Sequence, residues 1–228
     1  MSDRDFRPLE DQLSPDTALA LLREATAGAD DGELFFERRR SESLVFDDGR
    51  IKTASYDASE GFGLRAVRGE VTGYAHSSEI SEAALRRAMG TARLAVGEGG
   101  GTWAEAPRAT NRRLYTDADP IAGVSFPVKL ETLREIDDFA RSLDPRVVQV
   151  SATIAASIQE VEILRPDGLH LRDIRPMTRV NVSVIVDQDG RRESGTAGGG
   201  GRVGLDGLLD PADWQAKVHE ALRVATVN

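Results

Sequence analysis

The hydrophobic residues of this chain follow two spacings, a helical period of about 3.6 and a strand period of 2. In each half, strand-like segments lie between two helical segments. The four helical segments begin at the start signals Ser14-Pro15, Ser81, Pro127 and Asp210-Pro211. Their apolar stripes are Ala18, Leu21, Leu22 and Ala25; Leu85, Ala88, Met89, Ala92 and Val96; Leu133, Ile136, Ala140 and Leu143; and Trp214, Val218, Ala221, Leu222 and Ala225. The pattern predicts four amphipathic helices, each with one face to bury.

Strand-like segments lie between the first and second helices and again between the third and fourth. The clearest alternation places six apolar residues on one face: Val148, Val150, Ala152, Ile154, Ala156 and Ile158. A second set is Val180, Val182, Val184 and Val186. The turns between such runs are short, namely Asp47-Asp48-Gly49, Arg68-Gly69-Glu70, Pro166-Asp167-Gly168 and Asp187-Gln188-Asp189-Gly190. Turns of this kind predict antiparallel hairpins and argue against parallel strands joined by helices.

The two halves of the chain have the same order of predicted elements. The turn Asp48-Gly49 recurs as Asp167-Gly168, 119 residues later. We therefore predict an α+β fold, a pseudo-duplicated pair of helix–antiparallel meander–helix units around a mixed or antiparallel sheet. The alternative is that two unrelated meanders align this well, because few residues are identical.

This interpretation also predicts domain boundaries. Residues 1–13 form an N-terminal tail, and residues 14–228 form one domain. Within it, the first repeat covers about 14–97 and the second about 127–228. The connector, about 98–126, contains Trp103 and Tyr115, and we expect it to pack against the body of the protein.

Composition excludes several classes of function. The chain contains no cysteine, so it has no disulfide, iron–sulfur cluster or thiol nucleophile. Its net charge of −9 would repel a phosphate backbone, which argues against nucleic acid as a partner. It has no apolar run long enough for a membrane span and no signal sequence at its N-terminus, so we expect a cytoplasmic protein without a membrane partner.

The three histidines, His76, His170 and His219, are far apart in sequence. His219-Glu220 resembles the first half of a zinc-protease helix motif, but Arg223 stands where the second histidine would bind the metal. A cation at that position excludes the motif. We interpret His170 as an exposed strand residue and His76 as structural.

Other candidate catalytic groups also have a simpler explanation. No Gly-x-Ser-x-Gly occurs, which argues against a serine hydrolase. Three acidic pairs could transfer protons or bind a hard cation: Asp47/Asp48, Glu160/Glu162 and Asp137/Asp138. Solvated surface positions are the alternative for each pair, because charged residues are usually exposed. The basic run Arg38-Arg39-Arg40 is interpreted as a salt-bridged surface strand.

The most unusual local feature is the glycine run Gly198, Gly199, Gly200 and Gly201. It matches neither a phosphate-binding loop nor a dinucleotide fingerprint, because Arg202-Val203 follows it. A strand end without side chains would let a peptide or a partner subunit approach the backbone closely. A flexible loop before the last helix is the alternative.

Three stretches of this chain, Ser43–Lys52, Glu60–Ala75 and Glu193–Arg202, resemble the N-terminal half of the TldD/PmbA family. The family consists of two-part subunits of cytoplasmic zinc metalloproteases that trim small or unfolded peptides. The block from Gly63 to Gly73 is more similar to the TldD subunit than to its PmbA (TldE) partner. The resemblance extends from about Leu19 to Asn228.

The same resemblance implies that the zinc site lies elsewhere. In TldD subunits, a His-Glu-x-x-x-His helix and a later cysteine belong to the C-terminal half, and this sequence stops at Asn228, where we expect that half to begin. No residue here matches a metal ligand or the catalytic glutamate. We therefore assign no catalytic residue and no cofactor to this chain and expect zinc in the C-terminal half.

The resemblance predicts the non-catalytic N-terminal half of a TldD-like metallopeptidase. That half would pack on the catalytic half, help enclose a peptide chamber and support pairing with a PmbA/TldE-like companion subunit. A second hypothesis is a self-standing binding or scaffold protein that has lost the protease half. A third is an unrelated acidic α+β enzyme that uses His76 or His170.

Overall fold

The computed structural model describes residues 6–96 and 115–227. Its elements follow in this order: α1 (Pro8–Asp11), α2 (Pro15–Ala25), β1 (Asp31–Asp47), β2 (Arg50–Arg68), β3 (Val71–Ser77), α3 (Glu82–Val96), α4 (Phe126–Leu143), β4 (Val147–Leu164), β5 (His170–Gln188), β6 (Arg191–Gly201) and α5 (Pro211–Val227). After the short helix α1, each half has a helix, three strands and a second helix among the described residues. The predicted α+β class is confirmed, and so is the predicted order of helix, antiparallel meander and helix in each half of the chain.

The strands form one six-stranded sheet in the order β3-β2-β1-β4-β5-β6. The pairing of β2 with β3 is antiparallel and extends from Phe62 opposite Ser77 to Arg68 opposite Val71. The pairing of β5 with β6 is also antiparallel and begins with Thr178 opposite Gly201. The outermost strands, β3 and β6, therefore come from the third strand of each meander.

All four predicted hairpin turns are present, and each contains a glycine with positive φ: Gly49 (79°), Gly69 (57°), Gly168 (94°) and Gly190 (85°). Asp48 and Asp189, at φ values of 51° and 55°, precede two of these glycines. Left-handed residue pairs of this kind match the twist of antiparallel hairpins, and Asp-Gly adopts them at low cost.

The described residues divide into two compact units, each built from three separate stretches of chain. The first unit takes residues up to 39, 58–96 and 159–174, and the second takes 40–57, 115–158 and 175–227. Strands β1, β2, β4 and β5 contribute residues to both units. Each unit has its own hydrophobic core.

In the first unit, α2 and α3 bury their apolar stripes on one face of the strands. Leu22 and Leu85 are fully buried against strand residues such as Leu34 and Phe36. Residues 6–13, within the predicted tail, contain α1, whose Leu9 is also fully buried. The Ser81 hydroxyl accepts a hydrogen bond from the N–H of Ala84 at 3.1 Å and so caps α3, as its sequence predicts.

In the second unit, α4 and α5 cover the valine-rich face of β4 and β5. Leu133, Val182 and Val218 are fully buried there. Val148 is an exception to the predicted pattern, since it is 40% exposed, whereas the preceding Val147 is buried. Leu143, in the last turn of α4, is also exposed.

Part of the predicted connector belongs to this second core. Ile121 and Val124 pack against it just before α4 begins. Trp103 lies outside the described residues, and so does the side chain of Val96 in α3.

None of the helices in residues 6–96 and 115–227 has the length and the apolar composition needed to cross a membrane. Helix α4, with 18 residues, carries charged residues along its exposed side, including Glu131, Arg134 and Glu135.

Candidate functional site

The glycine run forms the end of strand β6 and is not a loop. Gly198 pairs with Asn181 of β5, and Gly201 pairs with Thr178. In the sheet formed by the described residues, β6 is the last strand, so its second backbone edge has no strand partner. An unpaired edge presents N–H and C=O groups to which another extended chain can hydrogen-bond.

Close packing explains two of these four glycines. A Cβ atom at Gly198 would lie 2.0 Å from Oδ1 of Asn181, and one at Gly200 would lie 2.0 Å from the carbonyl oxygen of Thr178. A Cβ atom at Gly201, in contrast, would meet nothing within 4 Å. The run is therefore closely packed at Gly198 and Gly200 and open at Gly201.

The packing continues on the helix-facing side of β6. A Cβ atom at Gly195 would lie 2.0 Å from the carbonyl oxygen of Ala221 and 2.5 Å from the backbone nitrogen of Ala225, both in α5. Glycine at this position lets the helix backbone approach the strand directly. On the other face of the strand, Gly198 and Gly200 are exposed, and the backbone there carries no side chain.

Polar contacts hold the glycine run in place. Oγ1 of Thr178 lies within hydrogen-bond distance of the carbonyl oxygens of Gly201 (3.2 Å) and Val203 (3.1 Å). Nε of Arg179 donates to Oδ1 of Asn181 at 2.9 Å and so fixes the amide that lies against Gly198. These contacts order the strand end and leave its outer edge free of intramolecular strand pairing among the described residues.

Cationic side chains lie beside this strand end. The guanidinium of Arg202 lies over the ring of Tyr115, 4.6 Å from its centroid. Lys217, whose Cε would be 3.0 Å from a Cβ at Gly199, forms a salt bridge with Asp213. Asp213 balances the charge of Lys217, so the positive charge beside the bare backbone of β6 comes from Arg179 and Arg202 and suits a carboxylate-bearing ligand.

The acidic pair Glu160 and Glu162 is buried, and for this pair the expectation of solvated side chains is wrong. Arg38 donates to both oxygens of Glu160, at 2.8 and 2.9 Å. Glu162, with no exposed surface, accepts from the backbone N–H of Leu9 at 3.1 Å and lies 2.7 Å from Nε2 of His170. Each charge thus has hydrogen-bond partners, which is the condition for burying it.

The other two acidic pairs each combine a partly or fully buried residue with an exposed one. Asp137 is buried beside Arg141, with 3.0 Å between its Oδ2 and Nε, and Asp138 is exposed. Hydrogen bonds to Asp137 and Asp48 raise the pKa of Arg141.

Asp47 is half-buried, whereas Asp48 is exposed. Hydrogen bonds from Gln149 and Lys52 lower the pKa of Asp47. These two donors favour the ionised form of Asp47.

The histidines have separate surroundings. His76 is exposed and stacks on Tyr74 with ring centroids 5.8 Å apart, and His219 meets Phe139 edge-on at 5.5 Å. Within residues 6–96 and 115–227, no three His, Asp or Glu side chains come together as metal donors. These residues do not fit a zinc ion, so we derive no chemical step through one.

Lys129 is a buried cation that we did not identify from the sequence. Its side chain is 1% exposed, and Nζ donates to Oε1 of Glu42 at 2.5 Å and to the carbonyl oxygen of Ile121 at 2.8 Å. A second ion pair, between Arg40 of β1 and Asp119 at 2.9 Å, also joins the segment before α4 to this strand. The sequence did contain a signal for its burial. Lys129 lies one helical turn before Leu133, on the same apolar stripe of α4.

Two family models match this chain in sequence order. Residues 32–95 match the PmbA/TldA metallopeptidase domain 1, and residues 119–228 match the PmbA/TldA metallopeptidase central domain.

Curated relatives are similar over most of this chain. It is 33% identical over 220 residues to the metalloprotease TldD homolog of Buchnera aphidicola subsp. Acyrthosiphon pisum, and the match covers 93% of the chain and 46% of the relative. It is 36% identical over 211 residues to the homolog of Haemophilus influenzae, with coverage of 87% and 43%. The chain thus spans slightly less than half the length of these relatives.

Solved structures share the fold. A crystal structure from Thermotoga maritima, named as a candidate modulator of a DNA gyrase, matches with a TM-score of 0.73 and 16% identity over 92% of this chain and 46% of that one. TldE from Thermococcus kodakarensis matches with a TM-score of 0.72 and 16% identity, covering 92% and 47%. At this level of identity, the similarity establishes the fold alone.

Proposed function

We propose, from the premise that this chain belongs to the PmbA/TldD metallopeptidase family, that it is the non-catalytic N-terminal half of a TldD-like peptidase. The observation that carries the proposal is the pair of family domains that occupy 32–95 and 119–228, in a chain that spans 46% of its Buchnera relative. In this role it packs on the catalytic half, helps enclose a peptide chamber and pairs with a PmbA/TldE-like companion subunit in the cytoplasm.

The residues of this chain act by binding and positioning. The open edge of β6 at Gly198–Gly201 docks either an extended peptide or the neighbouring subunit, because its backbone groups are accessible and its outer face lacks side chains. The nearby cations Arg179 and Arg202 favour an acidic group on whatever docks there.

The zinc-dependent step belongs to the C-terminal half in this proposal. A zinc ion in the His-Glu-x-x-x-His helix that the family resemblance implies would activate the attacking water. No residue of this chain is assigned to that step.

A reconstitution experiment tests the proposal. The 228-residue chain is assayed for peptide hydrolysis alone, and then with a separately produced C-terminal half of a TldD relative and a TldE-like subunit. We expect no chelator-sensitive cleavage by the chain alone and restored cleavage in the mixture. Chelator-sensitive cleavage by the chain alone, at the rate of an intact relative, would contradict the proposal.

The open strand edge favours one alternative, a self-standing binding or scaffold protein. Such a protein would bind extended peptides through β6 without increasing hydrolysis in the mixture. Measuring peptide binding and hydrolysis in the same samples separates the two functions.

A further inference from the structure

A second surface, within the first unit, forms a pocket of about 280 Å³ at the end of β3. Its lining includes Phe35, Glu37, Gly63, Tyr74 and His76. These residues alternate with the buried core residues of β1, β2 and β3, so the pocket lies on the sheet face opposite α2 and α3.

Glycine and aromatic residues shape this pocket. A Cβ atom at Gly63 would lie 2.6 Å from the hydroxyl oxygen of Tyr74, so the tyrosine ring lies directly over the glycine. Tyr74 is 59% exposed and stacks on His76 with an angle of 28° between the rings. The pocket therefore offers an aromatic surface to solvent, supported by a second ring.

The charge of the pocket is negative. Glu37 and Glu60 line it, and no Lys or Arg is among its described lining residues. One oxygen of Glu37 accepts from Nε2 of Gln159 at 2.9 Å, which orients that carboxylate. Glu60 is exposed and is the second carboxylate residue of the lining.

Strand β3 ends beside the pocket. Pairing of β3 with β2 ends at Phe62 opposite Ser77, although β2 contains residues 58–61 as well. The protein's own chain lies beside β2 at this point, because a Cβ at Gly61 would be 2.4 Å from the carbonyl oxygen of Ser77 and 3.1 Å from Cα of Ser78. A bound peptide would therefore reach the pocket from the sheet face, on which Tyr74 is exposed.

We propose that this pocket binds the guanidinium or ammonium group of a basic side chain in an extended peptide. The face of Tyr74 attracts a cation through its quadrupole, and the carboxylates of Glu37 and Glu60 complement its charge. The proposal goes beyond peptide hydrolysis, because it concerns binding by this chain and does not require the binding partner to be cleaved.

The test uses two capped pentapeptides, acetyl-Ala-Ala-Arg-Ala-Ala-amide and the same peptide with citrulline in place of arginine. Citrulline keeps the planar shape of arginine but carries no charge. Each is titrated into the 228-residue chain, and binding is followed by changes in the amide NMR signals of Gly61, Gly63 and His76. We expect the arginine peptide to shift these signals and to bind about fivefold more tightly than the citrulline peptide.

Matched variants assign the binding to the pocket. Glu60→Gln and Tyr74→Ala should each weaken binding of the arginine peptide about threefold. Glu70→Gln and Tyr56→Ala are the controls, because both residues are exposed and neither lines the pocket, and they should leave affinity unchanged.

Thermal unfolding of each variant confirms that the fold is intact. Equal affinity for the two peptides, unchanged affinity in both pocket variants, or signal changes confined to other residues would each overturn the proposal. Because the assay contains no catalytic half, its result is independent of whether the reconstituted enzyme is active.

Discussion

The two outer strands of the sheet, β3 and β6, use glycine in opposite ways. In the first half, the glycine lies on the inner strand: Gly63 of β2 lies beneath Tyr74 of β3. In the second half, the glycine lies on the outer strand itself: Gly198 of β6 lies against the side chain of Asn181 from β5. As a result, β3 presents side chains to a ligand, whereas β6 presents backbone.

The difference also affects how firmly each outer strand is held. Strand β6 packs so closely on α5 that a single Cβ at Gly195 would meet the helix backbone. At Gly63, by contrast, the three atoms nearest to a Cβ all belong to the end of the exposed Tyr74 side chain, which can rotate away. Backbone contacts cannot relax in this way, so the two strands should respond differently to similar substitutions.

The largest effect is expected for Gly195→Val in β6. The added side chain would overlap backbone atoms of Ala221 and Ala225 and force α5 away from the sheet. We expect a loss of about 3 kcal/mol in the free energy of unfolding, measured by urea denaturation. Gly201→Ala is the control and should change stability by less than about 0.5 kcal/mol, because no atom lies within 4 Å of its Cβ. Equal losses in the two variants would contradict the packing argument.

A smaller effect, on function, is expected for Gly201→Val. The open position accepts the side chain without a clash, but a branched residue then occupies the end of the edge that we propose for docking. Activity of the reconstituted enzyme should fall about fivefold, equivalent to about 1 kcal/mol, while the melting temperature stays the same. Unchanged peptide affinity together with unchanged subunit pairing would count against docking at this edge.

A still smaller change in stability is expected for Gly63→Ala in β2. The methyl group displaces the Tyr74 ring, and because the ring is exposed the cost should be about 0.5 kcal/mol. Binding of the arginine peptide should nevertheless weaken to the level of Tyr74→Ala, since the aromatic surface has moved. In the double variant, the second substitution should add no further loss of affinity. Additive losses would show that Gly63 acts independently of the tyrosine.

The smallest effect concerns the hairpin turns that lead into the two outer strands. At the β5–β6 turn, hydrogen bonds from Arg192 and from the N–H of Gly190 lower the pKa of Asp187 below 3.8. The ionised carboxylate therefore stabilises the hairpin above that pH, and this contribution is lost as the pH falls through the lowered pKa. At the β2–β3 turn, Asp30 accepts from the N–H of Gly69 at 2.6 Å.

Carbon NMR titration of the Asp187 carboxyl group measures this effect. We expect a midpoint below 3.8 in the natural chain and a higher midpoint in Arg192→Ala, which removes the first of the two donors. Identical midpoints would show that the arginine does not hold the carboxylate.

Local signals account for the parts of the fold that could be predicted. Ser81 caps α3 and Pro15 begins α2 as their positions indicate, since capping involves only residues within one turn. The four turns were also predictable, because left-handed backbone favours glycine wherever it occurs.

The candidate site was predicted only in part. The glycine run was visible as composition, but a strand and a loop were equally compatible with it until the register with Thr178 and Asn181 was known. The tyrosine pocket was not predicted, because its residues come from three strands and Gly63 has no local feature that shows which side chain covers it.

The sequence by itself determined the α+β class, the order of helices and strands, the hairpins and the family resemblance, because periodicity, caps and turns depend on neighbouring residues. The tertiary structure decided which charges are buried. Glu160 and Glu162 look like surface residues in an alternating strand, yet their partners Arg38 and Leu9 are more than a hundred positions away. Burial of a charge depends on partners that only folding brings within hydrogen-bond distance, and spacing along the chain carries no record of them.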